Sequence, residues 1–202
     1  MQKDTHPGTL ILLGQISFFF FLSASIALHP GFVFKSNEGG VSNYGIHLRT
    51  AAPYTLAFGL CAYFSLRAAS LYPRGERSTR DLRRLLEVYG ALVLLTLAST
   101  YVYKMGPGFK QLHIAVGVAT ITFELLASAW MFHRSKSSWD LGFLVVQATG
   151  CLLAGLTLLG ALHVLFLGQA LADLGFALLL VHTGLSTPLT GRGSVPGDPP
   201  TA

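Results

Sequence analysis

Six apolar stretches, each about as long as a bilayer is thick, fill most of the 202-residue chain. A hydrocarbon core of roughly 30 Å needs about 20 helical residues, and four of the stretches meet that length. The stretch 141–181 is about twice a span, so it must fold back as two helices, with the turn predicted at 160–168. The sequence therefore predicts an all-α membrane protein with a six-transmembrane-helix bundle. The predicted helices are 10–28, 51–71, 85–103, 112–132, 141–161 and 167–185.

The composition excludes a soluble globule. Hydrophobic residues make up 51% of the chain and charged residues only 11%, which leaves too little polar surface to cover a soluble core. We predict one transmembrane domain, 1–187, in a multi-pass protein of the cell membrane. The Pro- and Gly-rich tail, 188–202, has no hydrophobic pattern and is predicted to be disordered and cytoplasmic. Nucleic acid is not an expected partner, because most basic residues lie at helix ends or in short loops.

The first apolar stretch has a second interpretation. The charged Lys3, followed by apolar residues and then by Ser23, Ala24 and Ser25, is also typical of a secretory signal peptide. The stretch 10–28 is longer than a usual signal-peptide core of about 7 to 15 residues. We therefore predict an uncleaved helix.

The distribution of basic residues predicts the orientation. Ten Lys and Arg residues fall on the side of both termini and four on the other side, and the richer side is normally cytoplasmic. Both termini are therefore predicted to be cytoplasmic. The ten are Lys3, Arg67, Arg74, Arg77, Arg80, Arg83, Arg84, Arg134, Lys136 and Arg192, and the four are Lys35, Arg49, Lys104 and Lys110.

The longest outer connection, 29–50, is rich in Gly, Ser and Asn and contains Glu38, Asn43 and His47. Glycines permit tight backbone turns, and the polar side chains offer hydrogen bonds, so this loop can fold into a cap. The sequence leaves open whether this loop is a functional cap or only a turn-rich connector.

Histidines offer a possible metal or haem site. His29, His47, His113 and His163 are predicted at the outer helix ends, where Glu38 could join them around a divalent metal. No pair has ligand spacing, and interfacial histidines are stable without a metal, so we predict no metal. Haem ligation stays an alternative, although the histidines of each hairpin are about 20 residues apart and lie near opposite surfaces. The sequence has no cofactor motif, and no cofactor is predicted.

A polar stripe runs along the fourth span. His113, Gly117, Thr120, Glu124 and Ser128 recur every three or four residues on a helix that is otherwise apolar, so they share one face. Such a stripe faces protein, not lipid. Glu124 is predicted near the midplane, where an ionised carboxylate costs several kcal/mol unless it is paired or protonated.

Asp173 is the second intramembrane acid, one helical turn after Gln169. If both acids converge with Gln15 or Gln147, they line a cavity open to the outer side, suited to proton or cation coupling or to a lipid headgroup. The alternative is a structural hydrogen-bond network that joins the helices.

The loop carries a resemblance to known proteins. The run Ser36-Asn37-Glu38-Gly39-Gly40-Val41-Ser42-Asn43-Tyr44-Gly45, followed by Pro53-Tyr54-Thr55, resembles an uncharacterised bacterial six-helix membrane family (domain of unknown function). More distantly it is similar to the Frag/DRAM/Sfk group, in which Pro-Glu replaces Pro53-Tyr54. The resemblance implies a six-helix bundle and links to lipid or GPI-anchor remodelling and autophagy, without a settled chemical activity.

These patterns predict a protein that binds or transports a lipid headgroup or small solute in an outward-facing polar pocket. The alternatives are a membrane-embedded enzyme, a haem or metal protein, and a structural subunit of a membrane complex; no catalytic residue is assigned. Expected partners are membrane lipids, a small solute, and partner subunits or further copies of the chain. The predicted pocket residues are Glu38, Asn43, His47, His113, Thr120, Glu124 and Asp173.

Overall fold

The computed structural model describes residues 5–35, 40–73, 75 and 77–188, and within these ranges the chain is helical without strands. This confirms the predicted all-α class. Glu38 and the tail from 189 onward lie outside the described residues. The α-helices are α1 Pro7–Leu28, α2 Gly31–Lys35, α3 Leu48–Leu71, α4 Arg77–Val102, α5 Pro107–Ser135, α6 Ser138–Leu158 and α7 Leu165–Ser186. Two 3-10 segments, Gly40–Ile46 and Tyr103–Met105, precede α3 and α5.

Within the described ranges, five helices are long and apolar enough to cross a membrane, which makes this a multi-pass membrane protein. Helix α3 is 24 residues long but is not one of the five. It carries Arg49 and Arg67, and it packs against both α1 and α4. Its assignment as a sixth span stays a prediction. The five are Pro7–Leu28, Arg77–Met105, Pro107–Ser135, Ser138–Leu158 and Leu165–Ser186.

The helix boundaries differ from the prediction where local chain chemistry decides them. Helix α5 begins at Pro107, because proline suits the first helical turn, where its missing N–H costs no hydrogen bond. The turn between α6 and α7 includes Gly160, whose φ of 78° favours glycine. Gly168, which was predicted to lie in that turn, belongs to α7.

Helices α6 and α7 are in close contact through small residues. A Cβ atom added to Gly150 would lie 2.3 Å from the backbone nitrogen of Ala172, and one added to Gly168 would lie 2.5 Å from that of Ala154. A Cβ added to Gly175 would lie 2.5 Å from the backbone nitrogen of Gln147 on α6. Small residues let membrane helices approach until their backbones touch, so these glycines set the α6–α7 distance.

Helix α1 belongs to the core of the bundle. Ile11 on this helix is buried, and α1 packs against α3 and α7. At one end a Cβ on Gly8 would lie 2.6 Å from the carbonyl oxygen of Gly184, which also accepts a 3.2 Å hydrogen bond from Tyr72. The contact therefore joins the start of α1, the end of α3 and the end of α7.

The two ends of the bundle are different. At the end where α4 and α6 begin, which we call the basic end, Arg134 lies 3.9 Å from Asp81 and His182 Nδ1 lies 2.6 Å from Asp140 Oδ1. At the opposite end, the cap end, Gly40–Ile46 packs against α3, α4 and α7. We call Gly40–Ile46 the cap segment.

Candidate functional site

A cavity of about 200 Å³ lies in the half of the bundle next to the cap segment. Side chains from α1, α3, α4, α5, α6, α7 and the cap segment line it. Four residues of the predicted pocket are among them: His113, Thr120, Glu124 and Asp173. The polar stripe of α5 therefore faces the interior, and Gln15 and Gln169 join it at the cavity wall.

The other predicted pocket residues lie elsewhere or outside the described ranges. Asn43 accepts a 3.2 Å hydrogen bond from the Tyr103 hydroxyl and is not part of the cavity wall. His47 is exposed at the start of α3, where desolvation and the nearby charges of His29 and Lys104 lower its pKa. Glu38 is not described. The binding role of all these residues stays a prediction.

Glu124 is the most unusual group at the cavity. Its side chain is only 4% exposed, and its Oε2 atom has no hydrogen-bond partner among the described residues. No Lys or Arg is part of the described cavity wall. An unpaired buried carboxylate is costly to keep, so this site favours a bound proton or cation beside Glu124.

Asp173 faces the same cavity from α7. It is partly buried, one helical turn after Gln169. Two carboxylates around one small space repel each other when both are ionised. A positive charge between them removes that repulsion, which makes the pair suited to holding a cation or a shared proton.

His113 joins three elements at the edge of the cavity. Ser99 donates to the Thr96 carbonyl at 2.9 Å, so its oxygen is left to accept from His113 Nδ1 at 2.8 Å. His113 Nε2 is then an acceptor for the Ser42 hydroxyl at 2.9 Å. The Tyr103 ring stacks on the imidazole at 5.1 Å. Both ring nitrogens are therefore used in neutral His113, which holds α4, α5 and the cap segment together.

The cap segment closes one end of the cavity through Gln169. The backbone N–H of Val41 donates to Gln169 Oε1 at 2.9 Å. Gly40 precedes it with a φ of 51°, and a Cβ there would lie 2.0 Å from Gln169 Oε1. Tyr44 is fully buried in the segment, and burial raises the pKa of its hydroxyl. The segment is therefore a folded, fixed cap.

Substituting Gly40 by alanine should detach the cap. Alanine at a positive φ is strained, and its Cβ would displace the Gln169 side chain, so we expect a loss of about 1–3 kcal/mol in the free energy of unfolding. Thermal unfolding in detergent measures this. Gly106→Ala is the control, because its φ of 164° is extended and a Cβ there meets open space. Equal effects of the two substitutions would contradict the described cap.

Sequence reasoning missed three polar groups of the wall: Ser42, Tyr89 and Thr96. Tyr89 and Thr96 are seven residues apart on α4, so a stripe on one helical face was present in the sequence. Thr120 donates to the Val116 carbonyl, so the Thr96 hydroxyl donates to Thr120 at 3.1 Å. This bond fixes α4 against α5 beside the acids.

The described histidines lie at both ends of the bundle. No group of three or more His, Cys, Asp or Glu side chains that could hold a metal ion comes together among the described residues. The rings of His29 and His47 lie 5.5 Å apart, while His163 is exposed in the α6–α7 turn. His182 pairs with Asp140 at the other end of the bundle.

No family model, curated protein or solved structure matches this chain. The resemblance to the Frag/DRAM/Sfk group therefore stays a prediction.

Proposed function

We propose that this chain is a six-span protein of the cell membrane with both termini in the cytoplasm. We assign α3 as the sixth span, because its 24 residues are long enough to cross a bilayer and it lies against two apolar helices. The excess of Lys and Arg at the basic end supports the orientation. In this arrangement the cap segment is on the outer side.

We further propose that the cavity binds a small solute or a lipid headgroup, as a carrier or binding module. The observation that carries this proposal is Glu124, a buried carboxylate at the wall of a cavity whose Oε2 atom has no hydrogen-bond partner among the described residues. An intramembrane acid is expensive, and such groups usually mark ligand or ion pathways. A purely structural network would instead satisfy this carboxylate with a protein donor.

The size of the cavity supports a small occupant. Its volume of about 200 Å³ is below the roughly 300–1,000 Å³ of sites for drug-sized ligands. A headgroup or a solute of a few heavy atoms fits this space better than a whole lipid. An acyl chain would stay outside the bundle.

Filling the cavity tests the proposed function. A Cβ added to Gly117 in the cavity wall meets nothing within 4 Å, so Gly117→Leu should occupy the ligand space without forcing the helices apart. We expect this variant to lose binding of whichever probe the wild type retains. Native mass spectrometry with choline, inorganic phosphate and lysophosphatidylethanolamine measures the bound species.

Gly142→Leu is the matched control. Gly142 is exposed on α6, outside the cavity wall, and a Cβ there also meets open space. This variant should bind as the wild type does. Binding that survives Gly117→Leu, or a wild type that binds none of the probes, would contradict a ligand site in the cavity.

A further inference from the structure

We infer that the cavity is selective for an organic ammonium group; this deepens the proposed function and rests on it. The ligand is a small amine or quaternary ammonium, and it enters the cavity from the lipid. Charge, aromatic lining and the position of the opening each support it.

The charge of the wall favours a cation over an anion. The described wall has two acids, Glu124 and Asp173, and its other ionisable side chains are His113 and Tyr89. No Lys or Arg lies among the described wall residues. Both nitrogens of His113 already bond to serine hydroxyls. A phosphate or carboxylate would meet two acids and no Lys or Arg of the described wall, whereas an ammonium would pair with Glu124, whose Oε2 atom has no partner among the described residues.

Aromatic rings make the wall suitable for an organic cation instead of a hydrated metal ion. Phe18, Phe58 and Tyr89 line the cavity together with aliphatic side chains. A cation is attracted to the face of an aromatic ring, and alkylated ammonium groups use this contact because they carry little hydration. A metal ion would need several oxygen ligands around one point, and no group of three or more His, Cys, Asp or Glu side chains that could hold one occurs among the described residues.

The exposed residues of the wall point to an opening of the cavity toward lipid, between α5 and α6. Three apolar wall residues are strongly exposed: Ile114 by 47%, Val118 by 50% and Leu158 by 60%. The first two lie on α5 and the third on α6, while the cap segment closes the cap end through Gln169. Helix α6 packs mainly on α7 and α5 mainly on α4, so α5 and α6 hold each other less tightly than each holds its main neighbour. An ammonium group can therefore enter sideways, with any attached chain left in the lipid.

The test compares ligands that differ only in charge. Choline and its uncharged carbon isostere 3,3-dimethyl-1-butanol have the same shape, and calorimetric titration of the detergent-solubilised full chain gives their affinities. We expect choline to bind at least about tenfold more tightly. Lysophosphatidylcholine, which carries the quaternary ammonium, and lysophosphatidylglycerol, which does not, provide the same comparison for lipid headgroups. Tighter binding of lysophosphatidylcholine than of choline would identify a lipid headgroup as the source, and the reverse would identify a free solute; both outcomes support the ammonium class.

Glu124→Gln should weaken choline binding about tenfold or more, because the carboxylate that pairs with the cation is gone. The same substitution at Glu87, which pairs with Arg83 at 2.8 Å near the basic end, should leave binding unchanged. Asp173→Asn is a second variant, which removes the other acid of the wall and should also weaken choline binding. Equal affinity for choline and its neutral isostere, or preference for phosphate or lysophosphatidylglycerol, would overturn the ammonium class. If Gly117→Leu still blocked those ligands, the proposed pocket function would survive.

Discussion

Gly150→Leu is expected to destabilise the bundle by about 3 kcal/mol or more, or to prevent folding. The nearest atoms to a Cβ at Gly150 are backbone atoms of α7 at 2.3 to 2.8 Å, and backbone cannot move aside as a flexible side chain can. A leucine there must push α6 away from α7 where the two backbones are in close contact. Thermal unfolding and size-exclusion chromatography in detergent measure the loss.

Gly142→Leu separates this packing effect from the general effect of adding leucine to α6. Both substitutions remove a helical glycine, but at Gly142 a Cβ meets open space. We expect Gly142→Leu to be neutral or slightly stabilising, because leucine has the higher helix propensity by up to about 1 kcal/mol. Similar losses in both variants would contradict the close contact of α6 and α7.

Glu124→Gln is expected to raise the stability of the ligand-free protein, by about 1–3 kcal/mol if the carboxylate is ionised. The amide has the same shape but no charge, so the cost of an unpaired buried carboxylate disappears. Gains in stability on removal of a site residue are typical of functional positions, where binding has been favoured over stability. Thermal unfolding without added ligand measures the gain. With choline added, the wild type should become the more stable of the two proteins.

Asp140→Asn gives the contrasting case. Asp140 is fully buried like Glu124, but both of its oxygens have partners: Oδ1 bonds to His182 Nδ1, and Oδ2 accepts from the Ser135 hydroxyl. Removing this charge breaks a satisfied network, so we expect a loss of stability. If Glu124→Gln also lost stability, Glu124 would be a structural group and the ligand site would lose its main support.

Much of the architecture could be predicted, because the bilayer requires long apolar helices whatever their packing. The stripe from His113 to Glu124 was predictable for a similar reason, since polar residues at helical spacing must face away from lipid. Helix α3 is the harder case, because it has a lower apolar content and is stabilised by its contacts with α1 and α4. Its place in the bundle follows from these contacts, because its hydropathy alone does not group it with the other long helices.

The contacts of the cap segment and of the cavity wall could not be predicted, because they join distant parts of the chain. Val41 and Gln169 are 128 residues apart, and His113 and Ser42 are 71 apart. Helical spacing orders residues on one helix but does not say which helices become neighbours. Asn43 shows the consequence: its place in a polar loop predicts a pocket residue, whereas its side chain bonds to Tyr103.

An experimental structure of the protein in lipid nanodiscs with choline bound tests the central claim most directly. We predict ligand density in the cavity within hydrogen-bonding or ion-pairing distance of Glu124, with Asp173 on the opposite wall and the cap segment closed over Gln169. A Glu124 carboxyl group that faces lipid, or that pairs with a Lys or Arg in a collapsed cavity, would contradict it.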